Sequence, residues 1–350
     1  MESYHGPFLT EEGFVQAKVV IEDETIIEFK EGNDEGDEKA IIIPSFYNAH
    51  THVGDSVVKD PPKGTIEEVV GPGGIKEQAL SQATNEKMIP AIKNYFSEMY
   101  EFGVTEMVDF REGGINGLQP LQNVLGEFEG MIRPRILSRP MNRKFDGWEL
   151  NGILSMAHGI GLSAFRDWDK TQIKKVADSA KKRGKPFALH CSEDVREPID
   201  EVLELGVHHL VHMIEAEKED LERCVDENIP IVVCPRSNLF FGKIPDIPQM
   251  LDVGLDLSLG TDNAMICNPN MFSEMETAYR VSRMNGQVEA EDILMMSTWN
   301  PRKRLNLPYE LGSAQEEKEK YLVLKYRKGD PAYEVVTKMT PKDIIKIIEW

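Results

Sequence analysis

The sequence has few cysteines, and their spacing excludes two classes of protein. Only four cysteines occur among the 350 residues. They are Cys191, Cys224, Cys234 and Cys267, and no two of them form a Cys-x-x-Cys pair. A scaffold held together by disulfides and a zinc site built from paired cysteines are therefore both excluded.

Long apolar segments and excess positive charge are also missing. No apolar run approaches the ~18 residues that a membrane span needs, and no secretory signal is recognisable. The chain has 40 lysines and arginines against 60 acidic residues, a formal net charge of -20. Because nucleic acids and anionic membranes would repel such a chain, we expect neither as a partner. We expect instead a cytoplasmic protein that acts on a small molecule. The sequence leaves open whether the chain forms a homo-oligomer.

Two histidines follow an apolar segment near the N-terminus. The run Ala40–Pro44 is typical of a buried strand, and Ala49-His50-Thr51-His52 comes shortly after it. Side chains of an extended backbone alternate, so His50 and His52 point to the same side. Two imidazoles offered to one point predict a transition-metal site. The alternative is a pair of histidines in an exposed loop.

Three more candidates stand at the ends of short apolar segments. Pro186 to Leu189 lead into His190, the segment from His209 ends near His212, and Leu257 to Leu259 precede Asp262. Four predicted strand ends thus carry His-x-His, His, His and Asp, in a chain with only eight histidines.

Strand-like and helix-like segments alternate between Ile41 and Leu259, which predicts a parallel sheet with helices around it. We count eight strands, including the one at Ile41, and therefore predict a (β/α)8 TIM-like barrel whose active site lies at the C-terminal strand ends. The candidate residues fall at those ends. The connection from Ser56 to Thr84 is long enough to cover a substrate. The tail from Thr340 to Trp350 is typical of a short amphipathic helix.

Five pieces of the sequence together resemble the amidohydrolase superfamily, and within it the branch of metal-dependent deaminases and chlorohydrolase-like enzymes. Their order and spacing match from about Ile41 to Pro301. The pieces are PSFYNAHTHVGD from Pro44, HCSE from His190, HLVHM from His209, VVCPRSN from Val232 and LGTDN from Leu259. The resemblance implies a hydrolase barrel over residues 44–304. It also implies a small β subdomain made of residues 1–43 and 305–350.

The resemblance also assigns roles. His50, His52, His190 and Asp262 would hold one divalent metal ion, and Asp262 would accept a proton from water as general base. Glu193 would pass a proton to a ring nitrogen or to the leaving amine, and His212 would hydrogen-bond the attacking hydroxide or the developing oxyanion. The alternatives are a surface carboxylate for Glu193 and a core histidine for His212.

The lack of one lysine limits the reactions that the site could catalyse. Binuclear members of this superfamily bridge their metals with a lysine at the end of the fourth strand, and residues 154–162 contain no lysine. This favours a mononuclear site, with zinc preferred to iron, and the hydrolytic deamination of a purine, pyrimidine or related ring. The second hypothesis is hydrolysis of a cyclic or linear C–N bond, or of another ring substituent. The third is a barrel that keeps the metal but has lost turnover.

The sequence leaves open the roles of several polar residues near the matching pieces. His158 is as well explained by a loop histidine as by a substrate contact. Arg111 fits a salt bridge better than a substrate anion. Arg236, Ser237 and Asn238 are expected to support the site or shape its loops.

Overall fold

The computed structural model of the chain is a mixed α/β protein with two separate sheets. It describes residues 1–32, 38–60, 62–305, 307 and 318–350. The strands in these ranges are β1 (Glu2–Thr10), β2 (Gly13–Glu22), β3 (Thr25–Glu31), β4 (Glu38–Pro44), β5 (Phe46–His52), β6 (Val104–Arg111), β7 (Arg133–Ser138), β8 (Gly159–Leu162), β9 (Phe187–Cys191), β10 (His209–His212), β11 (Ile231–Val233), β12 (Leu257–Leu259), β13 (Asp262–Asn263), β14 (Lys320–Lys325) and β15 (Ile344–Glu349).

Most of the helices lie between the strands of the larger sheet. They are α1 (Ile66–Val70), α2 (Ile75–Gln82), α3 (Asn85–Glu101), α4 (Gly114–Leu125), α5 (Gly147–Met156), α6 (Lys170–Lys182), α7 (Ile199–Leu203), α8 (Lys218–Asp226), α9 (Pro235–Phe240), α10 (Ile247–Asp252), α11 (Met271–Asn285), α12 (Ala290–Met295) and α13 (Pro331–Thr337). Helix α6 shows how the local sequence sets such bounds. The Asp169 carboxylate caps its first turn, and Gly184 follows its end with a positive φ. Among the described residues, no helix is both long and apolar enough to span a bilayer.

The larger sheet contains nine parallel strands in the order β12-β11-β10-β9-β8-β7-β6-β5-β13. Strands β12 and β13 lie at opposite edges of this order, yet only Gly260 and Thr261 separate them in the chain. The sheet therefore curls until its two edges come together. A side chain at Gly260 would collide with the backbone of His50, because an added Cβ would stand 2.7 Å from its nitrogen and oxygen. The predicted parallel α/β architecture is confirmed, whereas the eight-stranded barrel stays a prediction.

The smaller sheet is closed and mainly antiparallel, in the order β1-β2-β3-β15-β14-β4. Strands from both ends of the chain build it, as the resemblance implies. It also contains the apolar run Ala40–Pro44, so the expectation that this run belongs to the large sheet is wrong. The chain changes sheets directly after Pro44: the Ser45 amide donates to Lys320, and the Phe46 amide donates to Gly103. The exact division into 1–43 with 305–350 and 44–304 stays a prediction.

The tail is the other element that differs from expectation. Residues Pro341–Asp343 form a single 3-10 turn, and Ile344–Glu349 form strand β15. Four of those six residues are isoleucines, whose branched side chains favour an extended backbone. Antiparallel pairing with β14, from Lys320 opposite Glu349 to Leu324 opposite Ile344, overrides the helical spacing.

Helices pack around the outside of the curled sheet and form the main apolar core with it. A smaller apolar cluster joins several of its strands and includes Tyr47, Val108, Leu137 and Val232. The polar candidates lie toward the C-terminal ends of the parallel strands, where active sites of such folds are found.

Candidate metal centre and active site

Four side chains from three parts of the sheet converge on one point. His50 and His52 end strand β5, His190 lies in β9 and Asp262 opens β13. Their ligand atoms all lie within 4.8 Å of one another. The Nε2 atom of His190 lies 3.2 Å from those of both His50 and His52, and Asp262 Oδ1 lies 3.3 Å and 3.4 Å from the same two atoms.

These spacings suit a metal ion. Atoms bound about 2.0–2.1 Å from a tetrahedral zinc ion are roughly 3.4 Å apart. The other nitrogens of two rings face acceptors: His52 Nδ1 lies 2.9 Å from the Phe110 carbonyl, and His190 Nδ1 lies 2.7 Å from the Leu162 carbonyl. Both rings therefore carry their hydrogen on Nδ1 when neutral, and their Nε2 lone pairs face each other. A cation between them would turn this repulsion into two bonds.

The protonation preferences of three of these groups also suit a metal ion. Burial lowers the pKa of His50 to about 3 and holds the pKa of His190 well below its usual range. Burial acts to raise the pKa of Asp262, but the His50 hydrogen bond and the neighbouring imidazoles hold it well below its usual value. Neutral imidazoles and an ionised carboxylate are the forms that bind a divalent cation.

Asp262 is held in place by two neighbours. Its Oδ2 atom accepts hydrogen bonds from the Ser237 hydroxyl at 2.6 Å and from the Asn263 amide at 2.7 Å, which leaves Oδ1 directed at the histidines. The Asp262 backbone has φ 58°, a left-handed conformation that is rare for aspartate and costs free energy. Ser237, expected to support the site, thus orients the carboxylate.

His212 and Glu193 stand beside the same carboxylate. Glu193 follows β9 and His212 ends β10, and one ligand atom each of Glu193, His212 and Asp262 forms a second group within 4.8 Å. The Glu193 Oε1 atom lies 3.6 Å from His212 Nε2. The Asn238 amide nitrogen lies 3.2 Å from His212 Nδ1, so with the amide donating, Nε2 carries the hydrogen and points toward Glu193.

A cavity of about 440 Å³ opens over these residues, and His52, His190, Glu193, His212 and Asp262 form part of its wall. The connection after His52, expected to be a long covering segment, contains the helices α1 and α2. Ile66, Val70 and Lys76 of that connection line the cavity.

Sequence reasoning missed a buried charged network at the edge of this cavity. Lys76 Nζ lies 2.7 Å from Glu112 Oε1 and 3.1 Å from Asp55 Oδ2, and the same Glu112 oxygen lies 2.8 Å from His52 Nδ1. Burial acts to lower the pKa of His52, but Glu112 and Asp55 outweigh it and raise that pKa. The network joins the covering segment to a metal-ligand candidate. No signal in the sequence identified Lys76, since it comes from a helix that shares no spacing with the histidines.

The structure shows the contacts of the residues whose roles the sequence left open. The Ile136 backbone amide donates to His158 Nδ1 at 2.9 Å, and His158 is not part of the cavity wall. Arg236 donates to the Asn268 carbonyl and side chain at 3.0 and 2.8 Å, so it shapes a loop. Arg111 makes no ion pair within 4.0 Å among the described residues, so the salt bridge expected for it is not present there.

Comparisons with known proteins agree with this geometry. The model of the Amidohydrolase family matches residues 41–347. A protein of Archaeoglobus fulgidus, provisionally named an aminohydrolase, is 33% identical over 279 residues, 79% of each chain. The 5-methylthioadenosine/S-adenosylhomocysteine deaminase of Thermoanaerobacter pseudethanolicus is 26% identical over 82% of this chain and 73% of its own. Among solved structures, guanine deaminase from C. acetobutylicum with bound guanine superposes with a TM-score of 0.78, at 14% identity and over 99% and 98% of the two chains.

Proposed function

Since this chain belongs to the amidohydrolase family and is a hydrolase that acts on C–N bonds, we propose that it removes an amino group from a heterocycle such as a purine or pyrimidine by hydrolysis. The observation that carries the proposal is the position of Glu193 and His212 next to Asp262, the one residue common to both ligand-atom groups. A proton carrier in that position is what ring deamination requires. The 5-methylthioadenosine/S-adenosylhomocysteine deaminase supports the same class of substrate.

His50, His52, His190 and Asp262 would hold one divalent cation. Three nitrogens and one carboxylate oxygen at these spacings favour zinc, although ferrous iron accepts the same ligands. The bound cation would lower the pKa of a water molecule to about 7 and so supply hydroxide at neutral pH.

The chain's own residues would move the protons. Asp262 accepts a proton from the water, whose oxygen bonds to the ring carbon that carries the amino group. Glu193 gives a proton to the adjacent ring nitrogen, so that negative charge does not accumulate on the ring. Burial raises the pKa of Glu193, which favours the protonated form that this step needs. His212 donates its Nε2 hydrogen to the oxygen on the attacked carbon.

The second half of the reaction returns the protons. Asp262 gives the proton that it took from the water to the amino group, the C–N bond to the ring breaks, and ammonia leaves. The ring oxygen becomes a carbonyl, and its hydroxyl proton goes to Glu193, which is then ready for the next cycle. One water is consumed and one ammonia is released, with no oxidant or reductant.

A panel of substrates tests this proposal. Metal-loaded protein is incubated with aminopurines and their nucleosides, aminopyrimidines, aminotriazines and pterins, and ammonia release is measured. We expect release from at least one group. No ammonia from any of them, together with turnover of a dihydropyrimidine, a hydantoin or an acyl amino acid, would instead establish the hydrolysis of a cyclic or linear amide.

A further inference from the structure

A second cavity, of about 450 Å³, adjoins the one over the metal-ligand candidates. The two cavities share Val70, Lys76, Glu112 and Arg139 as wall residues. The second cavity extends away from the histidines, and residues of α2, α3 and α4 form much of its wall. A molecule that reacts in the first cavity and reaches past these four residues would extend into the second.

The two cavities differ in charge. The wall of the first contains five carboxylates and three cationic side chains: Glu67, Glu112, Asp167, Glu193 and Asp262, with Lys76, Arg139 and Arg166. The wall of the second contains four cationic side chains and two carboxylates: Lys76, Arg111, Arg139 and Arg143, with Glu77 and Glu112. Lys76 of the second wall is paired with Asp55 and Glu112, and Arg143 is paired with Glu77. Arg111 and Arg139 are the cations of this wall that can attract an anion, since Arg139 makes only a 3.9 Å contact with Glu112.

Arg111 is the unusual member of this wall. Its side chain comes from the end of β6, and the residue is only 3% exposed. The Arg111 side chain makes one hydrogen bond to the described residues, from Nε to the Gly117 carbonyl at 2.6 Å, and its buried Nη1 atom has no partner. The Asp109 carboxylate on the same strand accepts from the Val53 amide and makes no ion pair with Arg111 within 4.0 Å.

A buried guanidinium without a hydrogen-bonded anion is costly, since it has lost its hydration. The Asp109 carboxylate interacts with Arg111 through space, and the Arg111 charge acts to lower the pKa of Asp109 against the effect of burial. A bound anion would supply the missing partner. Arg139 stands at the end of the neighbouring strand, and its backbone amide donates to the Arg111 carbonyl at 3.2 Å. Two guanidinium groups on adjacent strand ends suit an acceptor with several oxygens.

We propose that the substrate carries an anionic group, a carboxylate or a phosphate, that lies in the second cavity against Arg111, with Arg139 and Arg143 near it. The aminated ring lies in the first cavity. This inference rests on the proposed deaminase function for the identity of the ring. The anion site itself depends only on the arginines.

Matched substrates test the inference through turnover. Adenosine is compared with adenosine 5′-carboxylic acid and with adenosine 5′-monophosphate, and guanosine is compared with its corresponding acids. The carboxylic acids test whether the site takes a carboxylate, and the monophosphates test whether it takes a phosphate. We expect kcat/KM for one acid to exceed that of its neutral parent by about 30-fold, the scale of hydrogen bonds to a charged group. Arg111→Gln should bring the ratio of kcat/KM for the acid to kcat/KM for its neutral parent close to one. Arg280→Gln, an exposed arginine of α11, is the control and should keep the preference.

Direct binding separates this inference from the proposed function. Inorganic phosphate and malonate are titrated into the metal-loaded protein by calorimetry, and one of them should bind about 30-fold more weakly to Arg111→Gln. Binding of this kind without any ammonia release would support the anion site and contradict the deaminase. If Arg111→Gln fails to fold, Arg139→Gln, with a side chain 16% exposed, is measured in its place. Equal kcat/KM for acid and parent, or anion binding unaffected by the substitutions, would overturn the inference and leave Arg111 as a counter-charge for Asp109.

Discussion

The position of one hydrogen on each imidazole decides what each histidine of the site can do. Backbone carbonyls face Nδ1 of His52 and His190, so these rings offer Nε2 lone pairs. The Asn238 amide faces Nδ1 of His212, so this ring offers an Nε2 hydrogen instead. Neighbours in the structure thus separate two metal-ligand candidates from one hydrogen-bond donor, although the side chains are chemically identical.

The role of Glu193 is open to a direct test. Replacing Glu193 by Gln removes its proton but keeps its shape. We expect the variant to retain the metal and to lose ~10²-fold or more in turnover, the usual scale of general acid–base catalysis. Metal content and kcat are measured on the same preparation. Asp194→Asn is the matched control, because this neighbouring carboxylate is 32% exposed and pairs with Lys243, and its turnover should change by no more than about fivefold.

Two results would contradict this assignment. Loss of the metal in Glu193→Gln would make the residue a ligand, and unchanged turnover would make it a surface group.

At the residue scale, the sequence predicted what local spacing can show. Alternation along a strand predicted that His50 and His52 face one point. The resemblance then identified His190 and Asp262 as the distant partners. The Lys76–Glu112–Asp55 network could not be predicted this way, since its three members come from separate elements and meet only after folding. The role of Ser237 in orienting Asp262 likewise depends on contact between β13 and the start of α9.

At the scale of elements, helix α11 carries a buried acid that supports the loop around the site. Glu274 of α11 is fully buried, and its carboxylate accepts a hydrogen bond from the Arg236 backbone amide at 2.9 Å, at the start of α9. Arg236 in turn holds the loop at Asn268. The acid therefore connects two helices and a loop beside β13.

The pKa of Glu274 predicts how the free energy of unfolding changes with pH. Burial raises the pKa of Glu274 from its ordinary 4.5 to about 7 in the folded protein. The folded state then binds the proton more tightly than the unfolded state, so the contribution is complete below pH 4.5 and is lost as the pH rises through 7. We expect wild type to lose up to about 3 kcal/mol more free energy of unfolding between pH 4.5 and pH 8 than Glu274→Gln does.

Denaturant unfolding at several pH values measures this difference. Glu276→Gln, an exposed acid of the same helix, should follow wild type throughout. If the free energy of unfolding depends on pH in the same way for wild type and for Glu274→Gln, burial does not hold the proton on Glu274.

Element boundaries show where sequence patterns are ambiguous. The isoleucines of β15 are spaced to fit either a helix face or a strand, and only pairing with β14 decides between them. Likewise, Ala40–Pro44 and Phe46–His52 are continuous in sequence but belong to different sheets. The apolar pattern predicted the strand at Ile41 but contains no information about its partner, and it did not predict that a second strand begins at Phe46.

At the scale of the whole molecule, the curled sheet brings distant parts of the chain to one place. Asp262 reaches His50 because Gly260 and Thr261 carry the chain from one sheet edge to the other, and β13 pairs with β5. The alternation of strands and helices predicted the parallel architecture. The closed small sheet and the covering helices α1 and α2 depend on contacts between the chain's distant parts, which periodicity cannot show.

We propose that this fold holds one catalytic metal ion, and elemental analysis of the protein purified without added metal measures this ion itself. We predict one divalent metal per chain in wild type and in His5→Ala, a control in β1 of the small sheet. The His50→Ala, His52→Ala double variant should lose the metal. Two metals per wild-type chain, or full occupancy in the double variant, would show that these histidines do not hold a single metal ion.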